Sequence, residues 1–128
     1  MKKIIIAIVV LCAFASAALL NMVRIGSGNG LDTGTAYQAR IAITNGTSSW
    51  VLIPKDVRQI TCSINVLSNF ARVEYTTVRV EDVATTGVIF VWPNGNVTNS
   101  TSDSLWSPVS AVRLVALTNI AYLYMRAQ

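Results

Sequence analysis

The chain has 128 residues, of which 52% are hydrophobic and only 12% charged, about half the charged share of an average soluble domain. Its formal net charge of +4 is concentrated at one end: Lys2, Lys3 and Arg24 flank an apolar run, and beyond residue 24 seven basic side chains face six acids. This length and balance imply one domain, and the scattered cations exclude the clustered basic face of a nucleic-acid binder.

Met1-Lys2-Lys3 is a short positive segment, followed by an apolar stretch, residues 4–23, in which Ser16 and Asn21 interrupt the apolar pattern. Two readings fit. Ala13-Phe14-Ala15 and Ala15-Ser16-Ala17 both have the A-x-A form of a signal-peptidase site, so a mature chain would begin near Ser16 or Ala18. Alternatively, residues 1–24 form one hydrophobic helix. Twenty residues rising about 1.5 Å each cross about 30 Å of hydrocarbon. Ile4, Ile8, Leu11, Leu19 and Val23 are then the anchor positions, in a lipid membrane or among protein subunits. The paired lysines would stay on the cytoplasmic side. Leu11 before Cys12 argues against a lipoprotein, which would carry a small residue there.

Residues 25–35 read as a Gly-rich linker, with Gly26, Gly28, Gly30 and Gly34 separated by small polar residues. No Gly-Lys-Ser/Thr ending makes it a phosphate loop. Residues 36–128 then form the folded domain.

From Tyr37 onward the pattern is strand, turn, strand. Residues 37–44 read as a strand with Ile41 and Ile43 on one face. Asn45-Gly46 turns the chain, and residues 50–53 form a short strand ended by Pro54. Residues 57–67 alternate: Ile60, Cys62, Ile64 and Val66 point one way, Thr61, Ser63 and Asn65 the other, which marks a half-buried strand. After Ser68-Asn69, residues 72–83 are β-prone throughout. Thr85-Thr86-Gly87 turns again, residues 88–92 form a short apolar strand, and Pro93-Asn94-Gly95-Asn96 closes it. Residues 97–107, rich in Ser and Thr, are a loop or an edge strand. Residues 109–117 and 120–126 are two final strands. No part of this region has a helical period. The expected fold is all-β, an antiparallel β-sandwich or jelly-roll-like domain, preceded by one N-terminal hydrophobic helix.

The chemistry of an enzyme is missing. The chain has no histidine, which removes the usual general base and the commonest metal ligand. Cys12 lies in the apolar run, so Cys62 has no partner for a disulfide or a Cys-based zinc site; it reads as a core residue. Glu81 and Asp82 are adjacent, and neighbours on a strand face opposite ways. We expect no catalytic residues, no metal and no cofactor. Asn45-Gly46-Thr47, Asn96-Val97-Thr98 and Asn99-Ser100-Thr101 match the glycosylation pattern, but read as turn and loop residues. Trp50, Trp92 and Trp106 are interface candidates; a sugar-binding platform is the other use of such residues.

Several segments carry a resemblance. Asn45-Gly46-Thr47-Ser48-Ser49-Trp50-Val51-Leu52 opens it. Arg72-Val73-Glu74-Tyr75-Thr76 and Glu81-Asp82-Val83 follow, then Val91-Trp92-Pro93-Asn94-Gly95-Asn96-Val97-Thr98. Ser107-Pro108-Val109-Ser110-Ala111-Val112-Arg113-Leu114 precedes a closing strand that ends in Ala127-Gln128. Over about residues 44–128 this resembles a group of small bacteriophage virion structural proteins. The resemblance implies a β-sandwich subunit of a capsid, head or tail, a homo-oligomer or a minor capsid subunit among other virion subunits; the scattered cations already argue against a specific nucleic-acid contact. The apolar N-terminus departs from that pattern. It suggests a virion that holds a membrane, anchored through residues 4–23, or else a secreted or periplasmic bacterial module for adhesion or carbohydrate binding. A filament subunit with a retained apolar helix is a third reading.

Arg113 stands in the otherwise apolar stretch 109–117. It is either a solvated edge position or half of an intersubunit or buried pair with Glu74, Glu81 or Asp103.

Overall fold

The computed structural model describes residues 19–25, 36–67, 69–117 and 120–128. Ile4, Ile8 and Leu11 of the expected anchor, and the linker from residue 26 to 35, lie outside the described residues. Among those described, eleven strands and one short helix form. They are β1 (Leu20–Asn21), β2 (Val23–Ile25), β3 (Ala36–Ile43), β4 (Gly46–Thr47), β5 (Val51–Leu52), β6 (Gln59–Val66), β7 (Phe70–Thr76), α1 (Val80–Thr86), β8 (Phe90–Val91), β9 (Ser100–Trp106), β10 (Ala111–Leu117) and β11 (Ala121–Ala127).

The strands make two sheets. The first runs β1-β5-β10-β7-β8, with β4 also paired to β10; the second runs β2-β3-β11-β6-β9. Every pairing is antiparallel except β1 with β5. Four pairings are nested: β3 with β11, β5 with β10, β6 with β9 and β7 with β8. The chain thus behaves as one long antiparallel ribbon doubled back between β7 and β8. Successive ribbon segments go to alternate sheets, and the pairs β11–β6 and β10–β7 stitch the ribbon to itself.

Alternation decides which side chains enter the space between the sheets. In β6, Ile60, Cys62, Ile64 and Val66 are buried; in β11, Ala121, Leu123, Met125 and Ala127 are; in β10, Val112, Leu114 and Ala116; in β7, Ala71 and Val73. These side chains, with Val51, Ile53, Val57 and Trp92, form one core cluster. At about 25 cal/mol per Å² of apolar area removed from water, this burial is the main stabilising term.

The structure corrects the sequence reading at four places. The expected apolar helix reached Val23, but Leu20–Asn21 and Val23–Ile25 are strands. Leu20 N–H donates to Trp50 O at 2.9 Å, β2 pairs with β3, and Met22 between them is buried in the core. Sheet-edge pairing and that burial together fix this segment. Leu19 and Val23, expected as anchor positions, are exposed beside the sandwich. No helix among the described residues is long and apolar enough to cross a membrane.

The second correction lies in residues 72–83, where the strand ends at Thr76 and α1 follows. Glu81 and Asp82 sit in the first turn of α1, where their charge suits the helix dipole. Gly87 ends the helix at φ 65°, its N–H donating to Val83 O at 2.8 Å. This is the left-handed cap that glycine adopts without steric cost. The third correction concerns Trp92, which is in the core rather than at an interface. The fourth concerns Arg113, which lies on β10, an interior strand flanked by β7 on one side and by β4 and β5 on the other. The solvated-edge reading therefore fails. Within residues 97–107, Ser100–Trp106 form an edge strand, β9, paired among the described residues with β6.

Candidate functional site

Two features of the sandwich carry chemistry or exposed surface that packing alone does not require. One is a charged cluster on the outer face of the first sheet; the other is the edge formed by β8 and β9.

The cluster grows from register. Glu74 on β7 lies opposite Arg113 on β10, and Arg72 lies two residues from Glu74 on the same face. Arg113 Nη2 sits 2.6 Å from Glu74 Oε2, and Arg113 Nε donates to the same oxygen at 2.8 Å. Arg72 Nη2 and Nε reach Glu74 Oε1 at 2.8 and 2.9 Å. Both carboxylate oxygens are therefore held by charged donors, the strong form of hydrogen bond. Trp50 covers the far side of Arg113, with the guanidinium carbon 4.4 Å from the ring centroid. The Glu74 side chain keeps only 6% of its surface. Burial alone would raise its pKa, but the hydrogen bonds and charges of Arg113 and Arg72 outweigh that and hold it below its ordinary value.

Of the three acids proposed for Arg113, the structure brings Glu74 to it. Glu81 and Asp82 instead meet Arg79, whose nitrogens lie 3.6 Å from Glu81 Oε1 and 3.1 Å from Asp82 Oδ2 on the protein surface. The sequence reading missed Arg72, although its signal was present: an Arg-x-Glu spacing places both side chains on one strand face.

The edge is built differently. Phe90 and Val91 pair with Tyr75 and Glu74, and Trp92 N–H continues the ladder to Val73 O at 2.8 Å. After the turn at Gly95, Val97 exchanges two hydrogen bonds with Ala71, at 3.0 and 2.7 Å. Asn99 O then accepts from Val66 N–H at 3.1 Å. Residues 97–99 thus pass from one sheet to the other, which places β8 and β9 on the same side of the sandwich. There, three consecutive large apolar residues are exposed: Ile89 at 36%, Phe90 at 45% and Val91 at 48%. Phe90 stacks on Tyr75 with centroids 5.4 Å apart. Trp106, at the end of β9, is 66% exposed.

No protein-family model and no curated protein matches the chain.

The three tryptophans thus divide. Trp106 stands on the open edge, Trp50 lies on the outer face of the first sheet against Arg113, and Trp92 fills the core. They do not share a platform. Among the described residues no group of three or more His, Cys, Asp or Glu side chains is placed to hold a metal ion.

Cys62 is buried in the core, and burial, with a smaller contribution from the Asp103 charge, pushes its thiol pKa up to about 12. The thiolate is the reactive form. In the native chain at pH 8, the Cys62 peptide is therefore expected to stay unmodified by iodoacetamide and to label fully in urea. Peptide-resolved mass spectrometry checks this and separates Cys62 from Cys12.

Proposed function

We propose that this chain is a structural subunit of a bacteriophage virion, a minor capsid or capsid-associated protein that joins its neighbours through the β8–β9 edge. The observation that carries the proposal is the nested pairing of eight strands. Numbered in chain order from β3 and leaving aside β4, the second sheet runs first, eighth, third, sixth, and the first sheet runs second, seventh, fourth, fifth. That is the order of a jelly roll, an architecture that viral capsid domains use. The resemblance over residues 44–128 points the same way.

The edge supplies the means of assembly. An open strand edge is a template for pairing, and proteins that stay monomeric blunt it with charge, proline or a covering element. Here the edge carries Ile89, Phe90, Val91 and Trp106 exposed. A run of exposed apolar residues of this kind marks a contact surface. Phe90→Asp is expected to abolish higher-order assembly, read by native mass spectrometry, while the far-UV circular dichroism of the subunit stays unchanged. Assembly that survives the substitution contradicts the edge as the joining surface.

The N-terminal strands favour a second reading, an exported module. With residues 20–25 committed to the sandwich, a helix over residues 4–19 would rise about 24 Å, short of the roughly 30 Å of a bilayer core. An A-x-A site at residues 15–17 would release a chain that starts at Ala18, immediately before these strands. A membrane-containing particle accommodates this leader equally well if its proteins pass through an export step. Edman sequencing of the purified protein separates Met1 from Ala18 as its first residue.

A further inference from the structure

The outer face of the second sheet holds a trough, one wall of which is β9. Alternation along β11 sends Tyr122, Tyr124 and Arg126 outward. Register sets Ala42 and Asn65 on either side of Tyr122, and Arg40 and Ser63 on either side of Tyr124. The small side chains Ala42, Ser63, Ser100 and Ser102 leave a hollow of about 800 Å³ beside the tyrosines. A second hollow of about 360 Å³ reaches Arg126 and shares Ser63 and Tyr124 with the first.

The lining is mainly apolar, with polar groups set along one side. Tyr122 is 43% exposed, so its ring offers an apolar surface to a ligand. Beside it runs a row of hydroxyl and amide groups. Ser63 and Ser102 share a hydrogen bond at 2.9 Å, and the Ser100 hydroxyl donates to Asn65 Oδ1 at 3.0 Å. These bonds fix the row in place and leave the Asn65 N–H groups and the outer hydroxyl lone pairs for a partner. Arg40 lies 5.3 Å over the Tyr124 ring, while the Tyr124 hydroxyl donates to Gln38 Oε1 at 3.4 Å. Neither Arg40 nor Arg126 has an Asp or Glu partner among the described residues, and no Asp or Glu side chain lines either hollow.

We infer that this trough binds an acidic oligosaccharide. A tyrosine face packs against the C–H face of a pyranose ring, the hydroxyl and amide row matches sugar hydroxyls, and two unpaired guanidiniums match the carboxylates of uronic-acid units. Charge complementarity sets the sign of the ligand. The hydroxyl row sets its class: a nucleic-acid strand carries a phosphate at every nucleotide and calls for a continuous line of cations, whereas this face has two.

The test is isothermal titration of the full chain, in detergent where its N-terminal segment is retained, with three probes: a guluronate hexamer, neutral maltohexaose and a thymidine dodecamer. The expected result is saturable binding of the guluronate hexamer with at least about tenfold preference over the other two. Tyr122→Ala is expected to weaken that binding about tenfold, and Arg40→Gln to remove the preference for the acidic sugar. Ala42→Trp, at an exposed position, is expected to block the trough while the thermal unfolding midpoint stays within about 2 °C. Tighter binding of the thymidine strand, equal binding of maltohexaose, no saturable binding of the guluronate hexamer, or affinity indifferent to Tyr122→Ala each overturns the inference. Assembly is tested separately by Phe90→Asp, on β8 and outside the lining of the trough.

Discussion

Trp92→Ala is expected to cost about 3–5 kcal/mol, a large fraction of the stability of a domain whose total is of the order of 5–15 kcal/mol. Among the described residues Trp92 is the largest fully buried side chain, 1% exposed, and it belongs to the core cluster between the sheets. Its backbone N–H also closes the β8–β7 ladder, through Val73 O. Truncation leaves a void that the flanking strands cannot close, because both are held in register by their neighbours. Its indole Nε1–H, however, finds no hydrogen-bond partner among the described residues, and a buried donor without one is itself destabilising. Trp92→Phe removes that donor while keeping most of the ring, so a loss of about 1 kcal/mol or less is expected. Urea unfolding followed by circular dichroism measures both; equal losses for Ala and Phe would contradict this account of the core.

The second large effect belongs to Glu74. Glu74→Ala leaves two guanidiniums facing each other on the outer face of the first sheet. Breaking a buried pair in this way costs about 2–3 kcal/mol here, below the full range for buried pairs because Arg72 and Arg113 retain some contact with water. The same residue makes stability depend on pH. Its pKa in the folded chain lies below the ordinary 4.5, so in the window between the two values the unfolded chain binds the extra proton. Stability is therefore fully present above about pH 4.5 and is lost as pH falls through the folded pKa. The unfolding midpoint should fall on acidification from pH 5 towards pH 3, and Glu74→Gln should flatten that part of the profile. A wild-type midpoint that rises over this interval would refute the sign.

Much of the fold was legible because it is written in local alternation. The run from Ile60 to Val66 and the strand from Ala121 to Ala127 show a period of two, and the same side chains fill the core. Gly46 and Gly95, at positive φ, mark turns for the reason the sequence suggested: glycine takes that conformation without steric cost. Helix α1 was not legible. Seven residues with a single buried side chain, Val83, show no amphipathic stripe, and the Val and Thr content reads as strand.

Residues 89–92 inverted the expectation from hydropathy. The apolar trio is exposed and the tryptophan beside the proline is buried, because the ladder turns inward at Trp92 only after β8 has paired with Tyr75 and Glu74. Arg113 could be suspected from its apolar surroundings, but choosing Glu74 over Glu81 or Asp103 required the β10–β7 register. That register joins residues 39 apart in the chain. The nested pairing and the tyrosine trough have the same origin: they are products of long-range register, which no local pattern encodes.

The most direct test of the central claim is mass spectrometry of particles purified by density gradient from the source culture, reading both the abundance and the first residue of this protein. A virion subunit predicts its presence at a fixed ratio to the major coat protein across independent preparations. Recovery of the protein only from the particle-free secreted fraction, beginning at Ala18, would contradict the virion assignment and leave the exported module in its place.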